Sequence, residues 1–215
     1  MKTPITKARL IQHWTYSWWK YVLLVALCLF GWNIVFTTTE YRPPEDKKVM
    51  TYIYAAGEEP AFKAYLDAVH EAEMSDMEQV GAYFMMLDET YGDMQLMTYM
   101  AAGEGDLYIL PKEKYQSQAG QAFFVPLEDQ PGIDAMTEQY PNVMERAWRK
   151  GGEDTDGQRH LYGLPLSAMP GFARYLYTGA NEYYLCMAVN NQNDENTMKL
   201  LQILMRDMAQ ATEQQ

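Results

Sequence analysis

The sequence predicts an α/β fold, a parallel-dominated sheet with helices on both faces, preceded by one transmembrane helix. Three observations carry that expectation. An uncharged apolar run of sixteen residues extends from Tyr21 to Phe36. From residue 49 onward, strand-like and helix-like segments alternate, which implies parallel pairing and right-handed crossovers. The short segment Leu107 to Leu110 is almost wholly apolar, as in a sheet covered on both faces.

The elements follow in chain order. With Trp18 and Trp19 before it and Thr37 to Thr39 after it, the apolar run is long enough for a bilayer core. Trp14, Tyr16, Trp18, Trp19 and Tyr21 suit a headgroup layer. Lys7, Arg9 and Lys20 precede the span, so the positive-inside rule puts residues 1–17 in the cytoplasm and everything after the span outside. A cleaved signal peptide would have a shorter basic region and a small-x-small site, whereas this run ends in Trp32-Asn33-Ile34-Val35-Phe36. A lipoprotein would want a small residue before Cys28, and Leu27 is there. The segment 18–39 reads as an uncleaved signal anchor with the lipid bilayer as its partner. Residues 40–48 form a charged linker stiffened by Pro43 and Pro44.

Val49 to Ala55 reads as a strand, Glu58 to Glu73 as a helix, Val80 to Leu87 as a strand, and Thr90 to Ala102 as a helix stopped by Gly103. Leu107 to Leu110 is the third strand. Glu113 to Phe123 and Asp134 to Trp148 look helical, with the polar loop Gly151 to Gln158 following. Leu161 to Leu166, Arg174 to Tyr177 and Tyr183 to Val189 look like strands. Asn193 to Ala211 closes as a helix, Asn193 its cap, with Met198, Leu201, Leu204, Met205 and Met208 on one stripe.

Composition narrows the function. The chain has 215 residues, 29 acidic and 17 basic. Four of the basic residues, Lys2, Lys7, Arg9 and Lys20, precede residue 40 with no acid among them, so the remainder carries a net charge of −16. Such a domain has no basic face for nucleic acid. With 48% hydrophobic residues it is no disordered acidic tail. Cys28 in the span and Cys186 far beyond it make no disulfide framework.

Several segments, in order, carry a resemblance. These are the opening strand and helix from Tyr52 to Asp67, then Gly105-Asp106-Leu107-Tyr108-Ile109-Leu110, then Gly120-Gln121-Ala122-Phe123-Phe124-Val125-Pro126-Leu127-Glu128, then Leu161-Tyr162-Gly163-Leu164-Pro165-Leu166, and finally Tyr183 to Met205. Together they resemble the family 1 extracellular solute-binding proteins of bacterial sugar importers, the maltose-binding type. Members have two lobes and about twice this length, with sugar held between the lobes. Only about seventeen residues separate Pro165 from Tyr183, where the family inserts most of its second lobe. The resemblance therefore implies a domain-one-like single lobe over residues 49–215, with a hairpin from Phe172 to Tyr184 in place of the second. Its implied function is an extracellular binding domain for a sugar-like solute or a membrane protein partner such as importer subunits. The alternative is an assembly subunit whose degenerate fold and tyrosine-rich surface dock on protein.

Ligands of parallel α/β sheets sit beyond the carboxyl ends of the strands. Those ends offer Gly57, Glu58, Asp88, Glu89 and Lys112, with Tyr91 and Tyr115 as aromatic faces for a sugar. The same acids also suit ordinary helix starts. Met94, Met97 and Met100 have the spacing of a soft Cu(I) site, yet helical spacing is also core spacing, and the core reading is the expectation. His13, His70 and His160 form no zinc helix, and no nucleophile elbow or P-loop is present. Cys186 within an apolar strand is no activated thiol. The expectation is a binding protein without catalytic residues, metal or cofactor.

Overall fold

The computed structural model describes residues 6–41, 43–88, 90–152, 157–179, 181–189 and 193–209. It divides into two units, Met1–Arg42 and Pro43–Gln215. The first is a single helix, α1 (Lys7–Thr39), of 33 residues. Leu, Val, Ala and aromatic side chains run through it without a proline, and none of its apolar stretch from His13 to Thr39 is buried. It is long and apolar enough to cross a membrane.

The second unit opens with a short helical turn, Glu45–Lys47, and β1 (Lys48–Ile53). Then come α2 (Glu59–Glu73), β2 (Gln79–Phe84), α3 (Tyr91–Ala102), β3 (Leu107–Pro111) and α4 (Lys112–Gln118). Next are α5 (Ile133–Gln139), α6 (Pro141–Met144), β4 (Trp148–Lys150), β5 (Arg159–Leu161) and β6 (Leu164–Pro165), and last β7 (Tyr183–Met187) and α7 (Asp194–Met208). The central sheet has the order β2-β1-β3-β7-β6. β1 pairs parallel with β2 and β3, while β7 pairs antiparallel with β3 and β6. Four strands thus point one way and β7 alone is reversed. β4 and β5 form a separate two-stranded ribbon.

Period-two alternation explains how both faces are covered. Register places Tyr83, Tyr52 and Tyr108 side by side across β2, β1 and β3. Their rings cluster with Tyr99 of α3, the Tyr52 centroid lying 4.8 Å from Tyr99 and 5.5 Å from each strand neighbour. The opposite face meets α2, where Phe62 packs on Phe84, Phe172 and Tyr175. β3 and β7 are buried along nearly their whole length, as expected of central strands.

Two quoted motifs acquire structural reasons. Asp106, only 2% exposed, accepts a hydrogen bond from Met50 N at 2.7 Å and locks β3 to β1. Gly105 has φ +84, and a Cβ there would lie 2.4 Å from the Tyr52 ring. Gly163 leaves room for Tyr115 and Cys186, which a Cβ would approach within 2.9 Å and 2.8 Å.

Several expected elements are corrected. The helix expected to reach Phe123 stops at Gln118, because Gly120 and Ala122 adopt left-handed backbone at φ +87 and +58. The one expected from Asp134 to Trp148 is broken at Pro141, which cannot donate to the preceding turn, and Trp148 starts a strand instead. Leu161 to Leu166 is two strands separated by Tyr162-Gly163. Arg174 to Tyr177 is no strand: Pro170–Arg174 is a tight helical turn, and Leu176 makes one isolated bridge to Gly57. The hairpin expected from Phe172 to Tyr184 is therefore absent among the described residues. Asn193 does not cap α7 by its side chain; its Nδ2 donates to Lys48 O at 2.6 Å, tying α7 to β1. Of the polar loop, residues 153–156 lie outside the described residues, as do 210 and 211 of the last helix.

Candidate functional site

The carboxyl ends of β1, β2 and β3 deliver the residues that the sequence singled out, but to different surroundings. Beyond β1, the segment Tyr175 to Tyr177 lies against residues 56–58. Glu58 N donates to Tyr175 O at 2.7 Å and Tyr177 N donates to Ala56 O at 2.8 Å. Gly57 is required there, since a Cβ would stand 2.2 Å from Tyr175 O. The Glu58 carboxylate accepts the Tyr177 hydroxyl. The protein's own chain thus occupies the space next to Gly57 and Glu58.

Beyond β2, Asp88 is exposed and its Oδ1 accepts from Thr90 N at 2.9 Å and Tyr91 N at 2.8 Å. These two backbone donors hold its carboxyl below the usual carboxylate range. Asp88 thus satisfies the first amide of α3, that of Tyr91, and the amide of Thr90 before it, a capping role. Tyr91 is 70% exposed. Glu89 lies outside the described residues.

Beyond β3, Lys112 N donates to Glu182 O at 2.9 Å, and Lys112 Nζ lies 3.7 Å from Glu182 Oε2. These residues border a surface cavity of about 690 Å³ at the carboxyl ends of β3 and β6. Its charged lining has both signs, Lys112 and Arg146 with Glu113 and Glu182, and its apolar lining includes the buried Phe172 and Met169. Tyr115 is not in that wall. Its ring is fully buried and stacked on Tyr184 at 4.1 Å, and its hydroxyl donates to Ala147 O. Burial drives the Tyr115 hydroxyl's pKa far above its ordinary value, so the phenol stays neutral.

The expected site residues are therefore not brought together. Lys112 lines the larger cavity. Gly57 lines a second depression of about 490 Å³ with Tyr83, Met86, Leu87 and Gln95. Arg146, Glu182 and Phe172 were missed by sequence reasoning. Arg146 lay within a segment that read as uninterrupted helix, and the other two lay in the segment taken for a hairpin. Their only signal was proximity in chain to the turn residues Pro141, Pro170 and Gly171.

The methionine expectation also needs correction. Met74, Met77, Met85 and Met100 are core, but Met94 and Met97 are 65% and 47% exposed. Each three-residue step turns a helix 60° short of a full turn, so Met94 and Met100 fall on different faces. With Met86, Leu87 and Tyr91, also exposed, Met94 and Met97 give α3 and the end of β2 an apolar outer surface.

The remaining reactive side chains hold structural positions. His70 Nε2 lies 2.9 Å from Met77 O, and His160 Nδ1 contacts Glu128 Oε1. Burial raises Glu128, but hydrogen bonds from His160 and Leu161 N outweigh it and hold the carboxyl below its ordinary value. Cys186 is fully buried and burial pushes its thiol well up, away from reactive thiolate. Cys28 and Cys186 are both free. Among the described residues no three His, Cys, Asp or Glu side chains converge as metal ligands.

No family model matches the chain, and no curated protein matches it. Some solved structures align with part of the chain. An extracellular solute-binding protein family 1 from Alicyclobacillus acidocaldarius is 18% identical, with a TM-score of 0.42, over 59% of this chain and 29% of that one. A maltose-bound protein of T. maritima is 20% identical, with a TM-score of 0.39, over 55% and 28%. An ABC transporter solute-binding protein from Agrobacterium vitis S4 with bound D-mannitol is 15% identical, with a TM-score of 0.38, over 55% and 27%. The matched region thus spans less than a third of each of those proteins.

Proposed function

We propose that this chain is a single-pass membrane protein that displays a one-lobed α/β binding domain outside the cell and acts by binding, not catalysis. The anchoring half rests on α1, whose apolar side chains stand exposed to whatever surrounds them. The binding half rests on one observation, the cavity of about 690 Å³ beyond β3 and β6, whose size falls in the range of small-molecule sites. Its cations, Lys112 and Arg146, and its carboxylates, Glu113 and Glu182, provide donors and acceptors suited to the hydroxyls of a sugar-like solute. Lys112, which lines the cavity, is the residue proposed to contact it. Gly57, Glu58, Asp88 and Tyr91 border the neighbouring strand ends.

A thermal-shift screen of residues 43–215 against mono- and oligosaccharides tests this reading. At least one sugar at millimolar concentration raises the melting temperature, and Lys112→Ala removes the rise. Stabilisation follows RT ln(1 + [L]/Kd), so a screen without any shift overturns sugar affinity tighter than about a millimolar.

A second reading, an assembly subunit docking on protein, is favoured by the exposed apolar surface of Tyr91, Met94, Met97, Met86 and Leu87. On that reading, Met94→Lys with Met97→Lys shifts the chain to a smaller species on native gels of solubilised membranes. Unchanged migration counts against it.

A further inference from the structure

Between Lys20 and Glu40, α1 carries no charged residue. That stretch measures about 30 Å at ~1.5 Å per residue, the thickness of bilayer hydrocarbon. One strongly polar side chain falls within it, Asn33, about 10 Å from the Glu40 level. The threonines at that end are satisfied within the helix: Thr37 Oγ1 donates to Asn33 O at 2.7 Å, Thr38 Oγ1 to Ile34 O at 2.8 Å, and Thr39 Oγ1 to Val35 O at 2.6 Å. The Asn33 carboxamide has no such partner among the described residues. In hydrocarbon no water is present to satisfy its two donors and its carbonyl.

Helical geometry puts Ala26 and Thr37 within about 40° of Asn33, and Cys28 roughly 140° away. Small residues such as Ala26 let two helix backbones approach closely. We propose that this face pairs two copies of the chain in the membrane, with the two Asn33 carboxamides hydrogen-bonded to each other across a two-fold axis. The occupant follows from the chemistry. A carboxamide donates and accepts at once, so it complements itself. Copies with the same topology present Asn33 at the same depth, as an isologous interface requires. The inference rests on the membrane-spanning reading of α1 given above.

The test uses the full chain in membranes, with Ala26→Cys in a Cys28→Ser background, oxidised by copper-phenanthroline. A disulfide-linked homodimer forms on non-reducing gels, while the wild-type chain, with Cys28 facing away, stays monomeric. Adding Asn33→Leu, which keeps the span apolar, lowers the cross-linked fraction on the order of tenfold, and Asn33→Gln restores it. Equal cross-linking with leucine at position 33, no homodimer, or a product containing only another protein overturns the pairing. Alkaline carbonate extraction separates the two failures. A chain retained in the membrane pellet without cross-linking sinks the pairing alone, and a chain released to the supernatant sinks the span with it.

Discussion

At the residue scale, close approach and hydrogen bonding decide what each strand-end residue does. Gly57 has no room for a methyl group, because Tyr175 O stands 2.2 Å from where a Cβ would be. Gly57→Ala is expected to destabilise residues 43–215 by roughly 1–3 kcal/mol, read from urea midpoints. Glu128 offers a pH test. Its folded pKa is depressed, so its contribution is present above the ordinary carboxylate pKa and is lost as pH falls through the folded value. Unfolding midpoints followed from about pH 6 down to about pH 3 should fall more steeply in the wild type than in Glu128→Gln. Parallel curves would show that the His160 contact contributes nothing. An acid after a strand was legible in the sequence at Glu58 and Asp88, but its role was not. A carboxylate that caps a helix and one that meets a ligand occupy the same sequence position. Only the backbone amides of Thr90 and Tyr91 settle it for Asp88.

At the element scale, strands β1, β2 and β3 and helices α2, α3 and α7 were legible to within a few residues, since each carries a clear period or a terminal glycine or proline. What was not legible depended on pairing. Nothing in the composition of β7 announces that it runs against its neighbours, because an apolar strand buried on both faces reads alike in either direction. The segment from Asp134 to Trp148 misled because apolar spacing continued past Pro141, whose missing donor breaks it. Apolar side chains are spread around α3 rather than gathered on one face, so its spacing could not say which methionines pack. Exposure now separates them. Met100→Ala should destabilise the domain by about 2–5 kcal/mol, whereas Met94→Lys with Met97→Lys should stay within about 0.5 kcal/mol of wild type in urea unfolding. A large loss in the double variant would mean that this face is covered in the folded protein.

At the scale of the whole molecule, the net charge of −12 averages a +4 segment before residue 40 and a −16 remainder. Those halves correspond to the two units, a bare apolar helix and an acidic α/β domain with its own core. At the carboxyl end of β1 the domain's own chain, from Tyr175 to Tyr177, lies next to Gly57. A partly open cavity of this kind fits weak binding of a solute, or contact with protein, better than the enclosure of a ligand between closing lobes. On the proposed reading, α1 anchors this domain outside the cell. Alkaline phosphatase fused after Gln215, an enzyme active only when exported, measures it directly. Phosphatase activity in intact cells and a fusion that sediments with membranes are the expected result. An inactive fusion, or an active one recovered in the soluble fraction, would contradict it.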